Sequence, residues 1–317
     1  MNADQRPLGV AVVGGWHVHA QDYGRQVREA SGARLEAVWD DDRERGAAIA
    51  HALGVAFVDD LTALLNSPGV EGVVVTEAPS RKHETLATCL RAGKHVLSEK
   101  LVALSVDGFD ALTSIADANH ASLSCAMPFL GRRALVEMIA AARAGSVGEI
   151  TAIRANLSID GVTAGWLPPR FDDPDEAVVG TMGDLGCHPV YLINELVDED
   201  PIAISATYGR THGRNLDTNS IISMLFQSGV VATASSSHVE DAGHNTCTLD
   251  VTGTKGELRF ALDAPTQFTV RRSDETLVHS CAATTEEPVE TWLKALPDAG
   301  ALRTQPPCSA AADERRS

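Results

Sequence analysis

The sequence predicts two domains: a doubly wound parallel α/β sheet, then an α+β domain with an open, mainly antiparallel sheet. Strand and helix signals alternate six times between residues 8 and 144. Several of those strands are unbroken apolar runs, as at Val10, Ala11, Val12 and Val13, which suits burial on both faces. Near Gly148 the grammar changes, and strands then follow strands. With 317 residues, 44% of them hydrophobic, the chain can bury two cores.

The first strand stops at Gly14 and Gly15, and a helical pattern runs through Ala20, Tyr23, Val27 and Ala30 to Gly32. Residues 34–39 form a second strand ending at Asp40, Asp41 and Asp42, followed by a helix over 43–53. A short strand at 56–58 and a brief helix at 61–66 lead to an apolar strand at 70–76. A helix over 80–92 has Gly93 as its cap, and a strand at 95–97 runs into Ser98, Glu99 and Lys100. Ser105 caps a helix reaching 119; a strand at 121–126 and a helix at 132–144 follow. In the second half, residues 149–159 alternate as a half-exposed strand, and a Pro-, Gly- and Asp-rich loop covers 160–180. One helix is expected over 182–197, then seven strands between 202 and 281, with turns at Ser228-Gly229 and Thr254-Lys255-Gly256. No final helix is evident, and the tail is expected to be frayed.

The charge is 26 Lys and Arg against 43 Asp and Glu, a net of −17. Such a surface repels nucleic acid and anionic membranes, so neither is expected as a partner. No apolar run approaches 18 residues, and the first residues carry no secretory pattern. The six cysteines are scattered without a CxxC pair, which suits reduced thiols in the cytoplasm.

Three stretches carry chemistry. In the first, the strand–glycine–helix passage at 8–30 offers backbone N–H groups and a helix dipole to a pyrophosphate; a plain tight turn fits the same residues. Its spacing departs from GxGxxG, with Trp16, His17, Val18 and His19 after the glycines. Asp40, at the end of the second strand, suits both hydroxyls of an adenosine ribose and would repel a 2′-phosphate, which favours NAD over NADP. Three successive aspartates could equally cap the next helix. In the second stretch, Glu99 and Lys100 stand at the carboxyl end of a buried strand, where open parallel sheets bind ligands. An amine there can hydrogen-bond a substrate hydroxyl or stabilise a developing alkoxide; a solvated ion pair is the plainer account. In the third, Asp184 and His188 lie four apart, on one face of a helix that Pro189 places near its start. They suit proton transfer, and a capping Asp beside a packed His suits them as well. A metal site at His17, His19 and Asp22 is not expected, since a first-helix turn is a poor frame for a closed tetrahedral shell.

Taken together, these stretches resemble the glucose–fructose oxidoreductase, inositol dehydrogenase and MocA (Gfo/Idh/MocA) family over about residues 8–260. The resemblance rests on Ala-Val-Val-Gly14, Val-Trp-Asp40, Val73-Val-Val-Thr-Glu-Ala78-Pro79 with His83, and Ala92-Gly-Lys-His-Val-Leu-Ser-Glu99-Lys100. Asp184-Leu-Gly-Cys-His188-Pro and Thr252-Gly-Thr-Lys-Gly-Glu-Leu complete it. It implies a Rossmann NAD(P)-binding domain, here over 1–126, and an α+β substrate-binding and oligomerisation domain, here over 127–300; the composition of 301–317, poor in large apolar residues, predicts a disordered tail. It also implies a nicotinamide-dependent oxidoreductase acting on a sugar, cyclitol or related polyol, forming a homodimer or homotetramer through the C-terminal sheet. Lys100 then matches the residue beside the substrate hydroxyl, Asp184 a substrate-binding carboxylate and His188 the acid/base. Gly14, Gly15, Trp16, His17, Val18, Asp40, Ala78, Pro79, His83, Glu99 and Lys100 would line the cofactor. Tyr191, Trp166 and Arg170 are candidate substrate contacts. Some relatives use NAD transiently in redox-neutral eliminations or glycoside cleavage, and a non-catalytic nucleotide-binding member is a further alternative. The chain departs from the family pattern at Leu101, where a proline is usual, at Tyr191, where a second Asp is frequent, and at Met127-Pro128-Phe129.

Overall fold

In a computed structural model the described residues are 6–273 and 275–296. They divide into two compact units, one of residues 6–126 with 287–296, the other within 127–286.

The first unit holds β1 (Leu8–Val13), α1 (Ala20–Glu29), β2 (Ala33–Trp39), α2 (Arg43–Leu53), β3 (Ala56–Phe57), α3 (Leu61–Asn66) and β4 (Gly72–Val75). It continues with α4 (Pro79–Arg91), β5 (His95–Ser98), α5 (Val106–Ala118) and β6 (Leu123–Cys125). The strands are parallel, in the order β3-β2-β1-β4-β5-β6, which reverses direction of growth between β1 and β4. Both faces of β1 are covered, and Val10 through Val13 have no solvent exposure. That double burial is why the run is apolar throughout instead of alternating. Asp42 caps α2 by accepting from the backbone N–H of Glu44 and Arg45. Only the last aspartate of the triplet is therefore the cap, and Asp40 is left for another task.

The second unit holds α6 (Arg133–Arg143), β7 (Ile150–Ser158), α7 (Cys187–Asn194), β8 (Pro201–Gly209), β9 (Asn219–Phe226) and β10 (Val231–Ser237). After these come β11 (Thr246–Gly253), β12 (Gly256–Ala261), β13 (Gln267–Arg272) and β14 (Glu275–Ser280). The sheet order is β14-β13-β12-β11-β7-β10-β9-β8, antiparallel except for the β7–β10 pair. Leu135 and Met138 of α6 and Leu192 and Ile193 of α7 pack on one face with Ile153, Ala232, Leu249, Val251 and Phe260. The other face leaves Ile221, Leu225 and Val231 exposed.

Two expectations are corrected here. The helix expected over 182–197 opens with a π-helical turn, Met182–Gly186, before α7. Pro189 has no N–H for the carbonyl of Leu185, so a regular α-ladder is interrupted at that point. The second domain also does not run to residue 300. A helix that the sequence reading missed, α8 (Pro288–Ala295), returns to the first unit, where Val289 and Trp292 join the core of Val10, Val12, Tyr23 and Val27. Its eight residues carry too short an apolar stripe to stand out, and its partner helix α1 lies about 260 residues earlier. Trp292 is 2% exposed, and Trp292→Ala is expected to destabilise this unit by about 3–5 kcal/mol. Denaturant unfolding checks this; a loss below about 1 kcal/mol would show that α8 contributes no core. The expected tail over 301–317 lies outside the described residues.

Candidate functional site

The turn after β1 is built against the ends of its neighbours. Gly14 has φ +82, and a Cβ there would meet the Cα and N of Glu77 at 2.9 Å. A Cβ on Gly15 would fall 2.5 Å from Asp40 Oδ2. The backbone thus passes directly over the carboxyl ends of β2 and β4, where only glycine leaves room. Thr76 Oγ1 donates to the Gly14 carbonyl, and the His17 N–H donates to the Thr76 carbonyl at 3.0 Å. Val18 is half-buried, Ala78 is buried ahead of α4, and Pro79 is the first residue of that helix. His83 lies on the same helix, near the start of α5.

Asp40 is 3% exposed. Arg45 forks onto it, Nε to Oδ2 at 2.8 Å and Nη2 to Oδ1 at 2.6 Å, and the Asp42 N–H donates to Oδ1 at 2.9 Å. Burial raises the Asp40 carboxyl above the ordinary value, and the Arg45 guanidinium works against that rise. Arg45 also reaches Asp41 at 2.9 Å, and Arg81 bridges Asp41 at 3.1 Å and Glu77 at 3.2 Å. Neither Arg45, Arg81 nor Glu77 was singled out in the sequence; the Arg81 bridge joins residues that follow β2 and β4, the two strands flanking β1.

The carboxyl end of β5 carries a buried polar cluster. Glu99 is 2% exposed; Tyr23 donates to its Oε2, and its Oε1 lies 3.4 Å from His17 Nε2 and 3.7 Å from Lys100 Nζ. Lys100 Nζ stands 3.3 Å from the same His17 nitrogen. Burial alone would raise the Glu99 carboxyl; His17, Lys100 and His19 overcome it, with the Tyr23 hydrogen bond, and hold it down to about 2. Trp16 and His17, the bulky residues in the glycine turn, are both buried, and His17 is engaged with Glu99 and Lys100. His19 is exposed and pairs with Asp22 at 3.3 Å. The peptide bond between Lys100 and Leu101 is cis.

In the second unit, Asp184 sits in the π-helical turn and His188 in α7. Gly186 lies between them, packed against the Met182 side chain. Asp184 Oδ2 lies 2.9 Å from Nε2 of His238, a residue at the end of β10 that the sequence reading passed over. His188 is buried, its Nδ1 3.1 Å from the Tyr191 hydroxyl, which accepts from the Phe129 N–H at 3.2 Å. The Tyr191 hydroxyl thus lies against the His188 imidazole. Phe129 stacks edge-on to His188 with centroids 5.2 Å apart. Trp166 is exposed and donates to Asp160 at 2.8 Å; Arg170 lies over Phe171, 5.9 Å from its centroid. Among the described residues, no group of three or more His, Cys, Asp or Glu is placed to hold a metal ion.

The glycine turn, the buried acid after β2 and the polar end of β5 all stand at the carboxyl ends of the parallel strands, where open sheets of this kind bind ligands. At both glycines a Cβ would meet protein atoms, those of Glu77 and of Asp40, so the glycines allow backbone to approach the strand ends closely. The parallel sheet with its glycine turn defines a Rossmann-type nucleotide-binding fold. A family model described as "Oxidoreductase family, NAD-binding Rossmann fold" matches residues 8–127, and the GFO/IDH/MocA C-terminal domain matches residues 135–259. The chain belongs to the Gfo/Idh/MocA family of NAD-binding oxidoreductases.

Inositol 2-dehydrogenase 1 of Saccharopolyspora erythraea is 42% identical over 99 residues, 30% of this chain and 28% of that protein. The 1,5-anhydro-D-fructose reductase of Ensifer adhaerens is 28% identical over 218 residues, 64% of this chain and 61% of that one. The match thus spans less than two thirds of either relative. An inositol dehydrogenase homolog from Azotobacter vinelandii, complexed with NAD+, shares the fold with a TM-score of 0.78 at 20% identity, covering 91% of this chain and 84% of that one. No helix among the described residues is long and apolar enough to cross a membrane.

Proposed function

We propose that the protein is an NAD-dependent dehydrogenase or reductase that interconverts a hydroxyl and a carbonyl on a sugar, cyclitol or related polyol. The observation that carries this reading is the buried Tyr23–Glu99–Lys100–His17 cluster at the carboxyl end of β5. Relatives named inositol 2-dehydrogenase and anhydrofructose reductase support the substrate class. Bound NAD would supply the hydride-accepting nicotinamide. Gly14, Gly15, Trp16, His17, Val18, Asp40, Ala78, Pro79, His83 and Glu99 would hold it.

In the oxidative direction, His188 takes the hydroxyl proton as the C–H bond gives up its hydride. Lys100 would donate a hydrogen bond to a substrate oxygen and stabilise negative charge that grows there. In this reading His188 Nδ1 donates to the Tyr191 hydroxyl, which also accepts from the Phe129 N–H, and Nε2 exchanges the proton. Asp184, steadied by His238, accepts from a neighbouring substrate hydroxyl. Scattered cysteines, all free thiols among the described residues, suit the cytoplasm. The exposed Leu225 and Val231, paired across β9 and β10 near Ile221, suit a homodimer or homotetramer formed through that sheet face.

The test is absorbance at 340 nm with NAD and a panel of cyclitols, anhydrosugars and aldoses. A steady rise with at least one of them is expected. Product formed without net NADH would replace this reading with redox-neutral elimination or glycoside cleavage. Absence of both, together with no thermal shift on adding NAD, would leave a non-catalytic member.

A further inference from the structure

Lys82 is a buried titratable group with no part in the chemistry above. It lies on α4, 2% exposed. Its Nζ donates to the carbonyl oxygens of Glu99, at 3.1 Å, and of Lys100, at 3.0 Å. The Glu99 carbonyl also accepts from Ser98 Oγ at 2.7 Å, and the Glu99 N–H donates to the Val75 carbonyl at 2.8 Å. Backbone groups of residues 99 and 100 are thus tied to β4 on one side and to α4 on the other.

Burying an ammonium is costly unless its surroundings compensate it. A helix facing a parallel sheet would ordinarily carry an apolar residue at this position. Here the compensation comes from two carbonyl oxygens that belong to the residue bearing the reacting amine and to its neighbour.

We propose that Lys82 is a positioning residue for Lys100: its two hydrogen bonds fix the backbone from which Lys100 is aimed. The inference rests on the role given to Lys100 above. The charged and titratable groups facing Lys82 are Glu99 and Lys100 beyond β5, Cys125 on β6 and Glu77 at the end of β4. Burial lowers the Lys82 ammonium to about 8, against the attraction of Glu99 and with the repulsion of Lys100. The repulsion is mutual, so the charge on Lys82 favours the neutral form of Lys100, and its loss favours the charged form.

The sequence holds five lysines, few enough for each to be followed by NMR after labelling with [ε-13C]lysine. The full-length protein is titrated as wild type, Lys82→Met, Lys82→Arg and Lys100→Met, the last serving to assign the Lys100 signal. In the wild type the Lys100 signal is expected to show a second inflection near pH 8, where Lys82 loses its proton. In Lys82→Met that inflection disappears and the Lys100 midpoint rises. Turnover falls about tenfold or more, with NADH affinity held within about threefold. Lys82→Arg, which keeps charge and donors, recovers part of the turnover.

Unchanged turnover of folded Lys82→Met overturns the proposal, as does an unmoved Lys100 midpoint. If that variant does not fold, the wild-type titration decides, and a single inflection at Lys100 overturns it. Full activity of Lys100→Met would instead remove the role of Lys100 itself, while the coupling between the two lysine signals would still be read directly.

Discussion

Lys100→Met is expected to lower kcat by about 10²–10⁴-fold while NADH affinity stays within about threefold. The amine is buried beside Glu99 and His17, where a positive charge acts through little solvent. A hydrogen bond to a substrate oxygen strengthens as that oxygen gains charge, so its removal is felt in the transition state more than in binding. Methionine fills a similar volume, which keeps packing loss out of the comparison. Removing this cation also takes away one of the charges that hold the Glu99 carboxyl down, so the Glu99 pKa moves upward from about 2. Steady-state kinetics with NADH fluorescence titration makes the measurement. Equal, mild losses in turnover and cofactor affinity would reduce Lys100 to one half of a structural ion pair.

Asp40→Ser is the second large effect. Its NAD affinity is expected to fall about 10–100-fold, while NADP affinity holds or improves. In the native protein a 2′-phosphate would bring nearly two negative charges to a strand end already carrying Asp40, Asp41 and Glu77. Arg45 cannot answer that charge, because Asp40 takes its guanidinium in a two-point grip at 2.8 and 2.6 Å. Serine releases the fork and removes the nearest repulsion, leaving Arg45 as a planar partner for phosphate. Calorimetric Kd values for the two cofactors, taken at one salt concentration, decide the matter. An unchanged ratio of the two affinities would show that Asp40 serves only to anchor α2.

The turn at Gly14–Gly15 shows how far sequence reasoning reaches. Its glycines are legible because a local backbone demand selects them. Asp40 stands out because it directly follows an apolar strand, and Lys100 for the same reason. His17 is a different case: as sequence it is a misfit in a glycine turn, and only the fold places it within hydrogen-bond distance of Lys100. Lys82, one helical residue among several polar ones, carries no local mark of its burial. His238 ends a strand of serines and meets Asp184 only because β10 passes under the π-helical turn. Tyr191 stands where the family often has an acid, and in the fold its hydroxyl meets the Phe129 N–H and the His188 imidazole.

By itself the sequence determined the alternation of strands and helices, the change of architecture near Gly148, and the acid, the amine and the imidazole at strand and helix ends. All of these follow from periodicity and backbone preference within about a dozen neighbouring residues. Tertiary structure alone decided that α8 belongs with β1 and α1, and that Lys82 and His17 converge on the Glu99–Lys100 segment. Those contacts join residues from 17 to more than 260 positions apart, and in each the partner is chosen by where packed strands and helices bring it, which no local pattern records.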